Sequence, residues 1–170
     1  MKHIIMITGG QRSGKSEEAE RRALQLSDNP VYMATAKVLD DEFRERVRRH
    51  QERRGPQWTN IEEEVTLSRH HIEGRVVLID CVTLWLTNIF FQNGEDTDRA
   101  LEAAKMEFDR FTAQDATFIF VTNEIGLGGV SDNAMQRHFC DLQGWMNQYI
   151  AQHADEVVMM ISGIAMRVKG

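Results

Sequence analysis

Apolar and polar positions along the chain divide it into strand-length apolar runs separated by longer stretches of helical spacing. Residues 3–8 (HIIMIT) form a continuous apolar run, the mark of a buried strand, and residues 16–26 (SEEAERRALQL) follow with helical spacing. Residues 29–36 (NPVYMATA) give a turn signal and a second short strand ending near Thr35. A helix capped by Asp40 or Asp41 then runs to about Arg54, where Gly55 and Pro56 stop it. Residues 58–64 fit a short edge strand, and a weak helix is expected to reach His70 or His71 before Gly74 breaks it. Residues 75–81 (RVVLIDC) read as a strand covered on both faces.

Residues 82–92 (VTLWLTNIFFQ) have helical spacing but are apolar nearly all round, which places them deep or at a subunit contact. Residues 98–111 form an amphipathic helix with Leu101, Ala104, Phe108 and Phe111 on one side. Residues 117–123 are another buried strand, followed by a glycine-rich loop and a long helix over 133–153. Residues 156–162 and 164–168, split by Gly163, complete the pattern as an antiparallel hairpin at the sheet edge. Alternating strands and helices predict an α/β fold, a mainly parallel sheet covered by helices on both faces, with ligands at the carboxyl ends of its strands. At 170 residues, one domain spanning 1–170 accounts for the chain.

The first strand and first helix are joined by GGQRSGKS. Gly9, Gly14, Lys15 and Ser16 satisfy the phosphate-loop pattern G-x-x-x-x-G-K-[ST]. Glycines let backbone N–H groups curl round a polyphosphate, Lys15 can reach its outer phosphates, and the Ser16 hydroxyl can ligate Mg²⁺. Asp80 closes the strand VVLID, where phosphate-loop enzymes carry a second Mg²⁺-associated carboxylate; capping the helix that follows is its competing and compatible role. Thr122, Asn123 and Glu124 leave another strand end on the same rim, either facing the γ-phosphate or forming an ordinary polar loop.

Charge adds a second feature. The net charge of −6 argues against a general nucleic-acid or membrane-surface binder, yet Arg44, Arg46, Arg48, Arg49, Arg53 and Arg54 crowd one helix. Leu39, Phe43 and Val47 form an apolar stripe with His50 at its edge, and Arg46 and Arg54 lie one turn before and after the imidazole. Three readings stay open: a solvated helix paired through Glu42, Glu45 and Glu52, a nucleic-acid patch lacking aromatic interleaving, or an anion site with a nucleophilic histidine. His70 and His71 read as exposed helix residues, and His138 and His153 as structural. Cys81 and Cys140 show no metal-binding spacing, and with no secretory leader or spanning helix visible the expected compartment is a reducing cytoplasm.

Taken together, GGQRSGKS, YMATA, LDDEFRERVRRHQERRG with its following Trp58, LIDCVTLWLTN, VTNEIGLGGV with RHF downstream, and ADEVVMMISGI resemble the bifunctional adenosylcobinamide kinase / adenosylcobinamide-phosphate guanylyltransferase family of cobalamin biosynthesis. The resemblance spans nearly the whole chain. It implies a phosphate-loop NTPase fold and a protein that phosphorylates adenosylcobinamide with ATP or GTP. GMP then passes from GTP, through a covalent guanylyl-histidine, to the phosphorylated corrinoid. On this chain the nucleophile becomes His50, with Lys15 serving the kinase step. The nucleotide contacts become Gly9, Gly10, Gln11, Arg12, Ser13, Gly14, Lys15, Ser16, Ala34, Thr35, Ala36, Gln51, Glu52, Arg53, Arg54, Glu62 and Asp80. Ser16 and Asp80 become the Mg²⁺ ligands, and a homo-oligomer, a trimer, is implied. Arg49-His50 stands where some members have a histidine pair, and Ser131 and Cys140 replace a proline and an arginine that relatives often carry. The alternatives are a single-function small-molecule kinase with an inert His50, and a nucleotide-dependent switch; the second is weakened by Thr122-Asn123-Glu124 in place of the N-K-x-D guanine motif.

Overall fold

The computed structural model describes residues 1–170. Seven strands form one sheet in the order β3-β2-β4-β5-β1-β6-β7. They are β1 (His3–Gly9), β2 (Val31–Ala34), β3 (Thr59–Glu62), β4 (Val76–Asp80), β5 (Thr117–Val121), β6 (Glu156–Ile161) and β7 (Ile164–Lys169). All neighbouring pairs are parallel except β6–β7, the expected edge hairpin. The helices are α1 (Lys15–Leu26), α2 (Asp41–Arg54), α3 (Val82–Gln92), α4 (Thr97–Phe111) and α5 (Ala134–His153).

Strand side chains alternate between two cores, as a period of two requires. Ile4, Met6, Val77, Ile79, Phe118 and Phe120 face the larger core with Trp85, Phe90, Phe108 and Phe111 from the helices. Ile5, Ile7, Leu78, Ile119 and Val121 face the smaller one, with Ala19 and Ala23 of α1. Side chains of Asp40, Asp96 and Asn133 cap α2, α4 and α5 by accepting from the N–H groups of Phe43, Arg99 and Gln136.

Two local expectations change. The helix expected before Gly74 is only a 3₁₀ turn, Leu67–Arg69. Glu63 Oε1 takes the N–H groups of Val65 and Thr66, Trp85 Nε1 donates to the carbonyl of Val65 at 2.9 Å, and Leu67 is fully buried, so tertiary contacts fix a turn there. His70 is consequently half-buried beside Glu63 at 3.0 Å instead of lying on an exposed helix. In α3 the buried side chains are Val82, Trp85, Leu86, Ile89 and Phe90, while Leu84 and Phe91 stay exposed. Of the apolar stripe, Leu39 precedes α2 and is exposed, Phe43 and Val47 are half-buried, and Arg54 is the one buried residue of that helix.

Candidate functional site

The sheet delivers its strand ends to one rim, and the phosphate loop sits near its middle. Gly14 precedes α1 in the left-handed conformation, φ 94°, and an added Cβ there would lie 3.3 Å from Gly163 Cα. Glycine satisfies both demands. No side chain caps α1, so its first N–H groups face the loop and form an anion seat. Lys15 Nζ bends back over the loop to donate to the Gly10 carbonyl and, at 3.5 Å, to Ser13 Oγ. Burial lowers the pKa of this lysine, with Cys81 and Asp80 opposing that shift. The β6–β7 turn braces the loop through the Gly163 N–H, which donates to the Ser13 carbonyl at 2.9 Å. Between them lies a cleft of about 650 Å³ lined by Arg12, Ser13, Glu17, Arg21 and Ser162, among others.

Asp80 does not cap α3 and turns instead toward Ser16 and Tyr32. Its Oδ2 accepts from Ser16 Oγ at 3.2 Å and from Tyr32 Oη at 2.5 Å, while α3 is preceded by Cys81 and has no side-chain cap. A hydroxyl and a carboxylate so placed are the hard oxygen donors that Mg²⁺ takes alongside phosphate oxygens and water. No cluster of three or more His, Cys, Asp or Glu offers a metal site built from protein alone. Thr35 is buried and fastens β2 to the end of β4: its Oγ1 donates to the Cys81 carbonyl at 2.7 Å and accepts from the Cys81 N–H at 2.9 Å. Ala34 and Ala36 flank it, half-buried on the rim.

Tyr32 is the residue that sequence reasoning missed. Beyond its bond to Asp80, its ring carries the Arg54 guanidinium 3.4 Å from the centroid and meets Trp58 edge-on at 5.9 Å. Burial, followed by Asp80, drives the phenol pKa upward, so it remains a proton donor. Its signal was a tyrosine two residues before the rim on a strand whose Ala34 pairs in register with Asp80. Arg54 donates to Asn60 Oδ1 at 3.0 Å and leaves Nε without a partner. A continuous line of contacts, Arg54–Tyr32–Asp80–Ser16, thus ties the end of the basic helix to the phosphate loop.

The rest of α2 divides in two. Arg46 pairs with Glu42, Arg48 with Glu45 and Glu52, and Arg49 with Glu45, all exposed and therefore worth little to stability. That middle section matches the solvated reading. Arg53 instead reaches Glu20 of α1 at 3.9 Å, and burial raises the Glu20 pKa against the pull of Arg53 and Arg54. His50 is exposed, one turn before Arg54, and has no side-chain hydrogen bond; Gln51 is half-buried beside it. Gly9 closes β1, while Gly10, Gln11 and Arg12 are exposed on the loop. Glu62 ends β3 at the far edge of the sheet. The rim therefore gathers the loop, Thr35, Asp80 and Arg54, and leaves His50 and Glu62 outside that contact network.

Comparison with known proteins follows the same lines. The family model for cobinamide kinase / cobinamide phosphate guanyltransferase matches residues 5–168. The chain is 36% identical over 181 residues to the bifunctional adenosylcobalamin biosynthesis protein CobU of Escherichia coli (strain K12), covering 98% of this chain and 99% of that protein. It is 36% identical over 169 residues to the bifunctional adenosylcobalamin biosynthesis protein CobP of Pseudomonas aeruginosa, covering 97% and 96%. The crystal structure of the flagellar accessory protein FlaH from Methanocaldococcus jannaschii aligns with a TM-score of 0.50 at 15% identity over 99% of this chain and 80% of that one, a likeness of fold alone. With a phosphate loop, a rim carboxylate and a histidine-bearing basic helix in their expected order, and a family match over almost its full length, the chain belongs to the cobinamide kinase / cobinamide phosphate guanyltransferase family.

Proposed function

We propose that the chain carries both activities of its family on one domain, and that His50 holds GMP between them. In the first reaction the aminopropanol hydroxyl of adenosylcobinamide attacks the γ-phosphorus of ATP or GTP on the phosphate loop. The bond to the β-phosphate breaks, and the nucleoside diphosphate leaves. Lys15 and the N–H groups opening α1 stabilise charge on the transferred group. Mg²⁺, held by Ser16 and Asp80, supplies charge neutralisation on the phosphates when bound.

In the second reaction a neutral His50 nitrogen attacks the α-phosphorus of GTP, and pyrophosphate departs. A phosphate oxygen of adenosylcobinamide phosphate then displaces the imidazole, giving adenosylcobinamide-GDP and free His50. Arg53 and Arg54, which are not consumed by the helix's own carboxylates, suit the departing pyrophosphate; Gln51, Glu52, Glu62 and Ala34–Ala36 complete the guanosine contacts. The line Arg54–Tyr32–Asp80–Ser16 is the observation that supports this reading most, because it ties the end of the basic helix, one turn from His50, to the phosphate loop. The exposed, unpartnered His50 favours the rival of a kinase with an inert histidine, so the test is on that residue. Wild-type protein with GTP should convert adenosylcobinamide to its GDP derivative, while His50→Ala should stop at adenosylcobinamide phosphate. A His50→Ala protein that still forms the GDP derivative would refute His50 as the GMP carrier, and wild-type protein that stops at adenosylcobinamide phosphate would leave only the kinase.

We further assign a cytoplasmic trimer. No helix is long and apolar enough to cross a membrane. Leu39, Leu84 and Phe91, exposed by 77%, 40% and 54%, supply apolar area around a groove of about 690 Å³ between α2 and α3, which suits burial against another copy.

A further inference from the structure

One strand end on the rim carries a carboxylate that the two reactions above do not use. β5 lies between β1, which feeds the phosphate loop, and β4, which ends at Asp80. Whatever leaves β5 therefore emerges between the loop and Asp80. Glu124 leaves there: its N–H donates to the Gly9 carbonyl at 3.1 Å, and its Oε1 accepts from Thr8 Oγ1 at 2.7 Å. Both partners belong to the last two residues of β1. Oε2 accepts no hydrogen bond from the protein, and no arginine, lysine or histidine pairs with this carboxylate.

The strand end that presents Glu124 is held firmly. Buried Thr122 donates to Asn147 Oδ1 at 2.7 Å and accepts from Gln143 Nε2 at 3.0 Å, and Gln143 also donates to Asn147 Oδ1 at 2.9 Å. Asn147 Nδ2 in turn donates to the Asn123 carbonyl at 3.1 Å, and Asn123 Nδ2 donates to Thr83 Oγ1 at 2.9 Å. Such a network fixes a direction for the next side chain. Tying strand to loop needs only an acceptor, which glutamine would supply equally well; a half-buried glutamate without a cation calls for a further role.

We propose that Glu124 is the general base of the phosphorylation step. It accepts the proton of the acceptor hydroxyl as that oxygen bonds to the γ-phosphorus, while the electron pair of the breaking bond leaves on the nucleoside diphosphate. The neighbouring strand ends offer no free carboxylate. Asp80 is committed to Ser16 and Tyr32, and the turn after β6, the other neighbour of β1, offers only Ser162 and Gly163. This assignment rests on the kinase reading of the phosphate loop.

Glu124→Gln keeps the acceptor for Thr8 and removes the base. Its kinase kcat should fall by about 10²- to 10³-fold, within the usual contribution of a positioned base, with KM for adenosylcobinamide changed by less than about threefold. Guanylylation of His50, in which no hydroxyl loses a proton, should persist. A kcat within about fivefold of wild type, or a parallel loss of both reactions with a lowered melting temperature, overturns the assignment. Wild-type protein that phosphorylates nothing would instead overturn the kinase reading, and this assignment with it.

Discussion

Replacing Tyr32 with Phe removes one oxygen from the centre of the contact line and leaves nearly everything else in place. The ring would still lie under Arg54 and against Trp58, and no sizeable cavity opens. What is lost is a 2.5 Å hydrogen bond to a carboxylate from a side chain only 8% exposed. Hydrogen bonds to charged groups contribute about 1.5–3 kcal/mol. Asp80 is half-exposed and keeps its bond from Ser16, so the lower end applies, about 1.5 kcal/mol. For a chain of this size that lowers the melting temperature by roughly 3–6 °C. Because the phenol stays protonated, the loss should not vary with pH on its account. Freed from one of its two donors, Asp80 should hold the phosphate site less well, and kinase kcat/KM should fall about tenfold, the rate equivalent of about 1.4 kcal/mol. Urea titrations and initial rates measure the two effects, and a double-mutant cycle with Asp80→Asn isolates the pair. A stability change under about 0.3 kcal/mol, or strict additivity in the cycle, would refute the bond's role.

Two further outcomes follow from the same geometry. Lys15→Ala should lower phosphorylation by at least about 10²-fold, the usual cost of losing one positioned donor to a charged transition state; unchanged turnover would exclude the loop as the kinase site. Glu63→Ala tests stability away from the chemistry. Burial works against the Glu63 carboxylate, but the N–H groups of Val65 and Thr66 and the His70 imidazole outweigh it and hold its pKa below the ordinary 4.5. A carboxyl with a depressed folded-state pKa stabilises fully above its unfolded value and loses that contribution as pH falls through the folded one. The variant should therefore be about 2 kcal/mol less stable at pH 7 by denaturant titration, with the gap closing as the pH falls below the ordinary 4.5 and through the depressed folded-state pKa; a gap independent of pH would show that packing, not charge, was removed.

How much of this was legible in the sequence depended on how local the cause was. The phosphate loop, the strand before it and the helix after it are set by residues adjacent in the chain, and the edge hairpin by the interruption at Gly163. The strands showed as apolar runs because both faces are covered. Asp80 was placed correctly at a strand end, but its choice of Ser16 and Tyr32 over the α3 terminus is a contact across the sheet that spacing does not encode. Arg54 looked like its neighbours Arg48 and Arg49, yet it turns inward onto an aromatic ring while they pair along the helix. The stripe of Leu39, Phe43 and Val47 has the same period whether it meets a core, a ligand or another subunit. The stretch after Glu64 was lost for the same reason: Trp85 and the Glu63 carboxylate, not intrinsic propensity, shape it.

The reading stands or falls on a bond at His50. Protein mixed with GTP and Mg²⁺, digested under alkaline conditions that preserve a phosphoramidate, and examined by mass spectrometry should carry GMP on the peptide containing His50 and nowhere else, with the adduct missing from His50→Ala. GMP on another side chain, or none in protein that turns over, would contradict the two-step account.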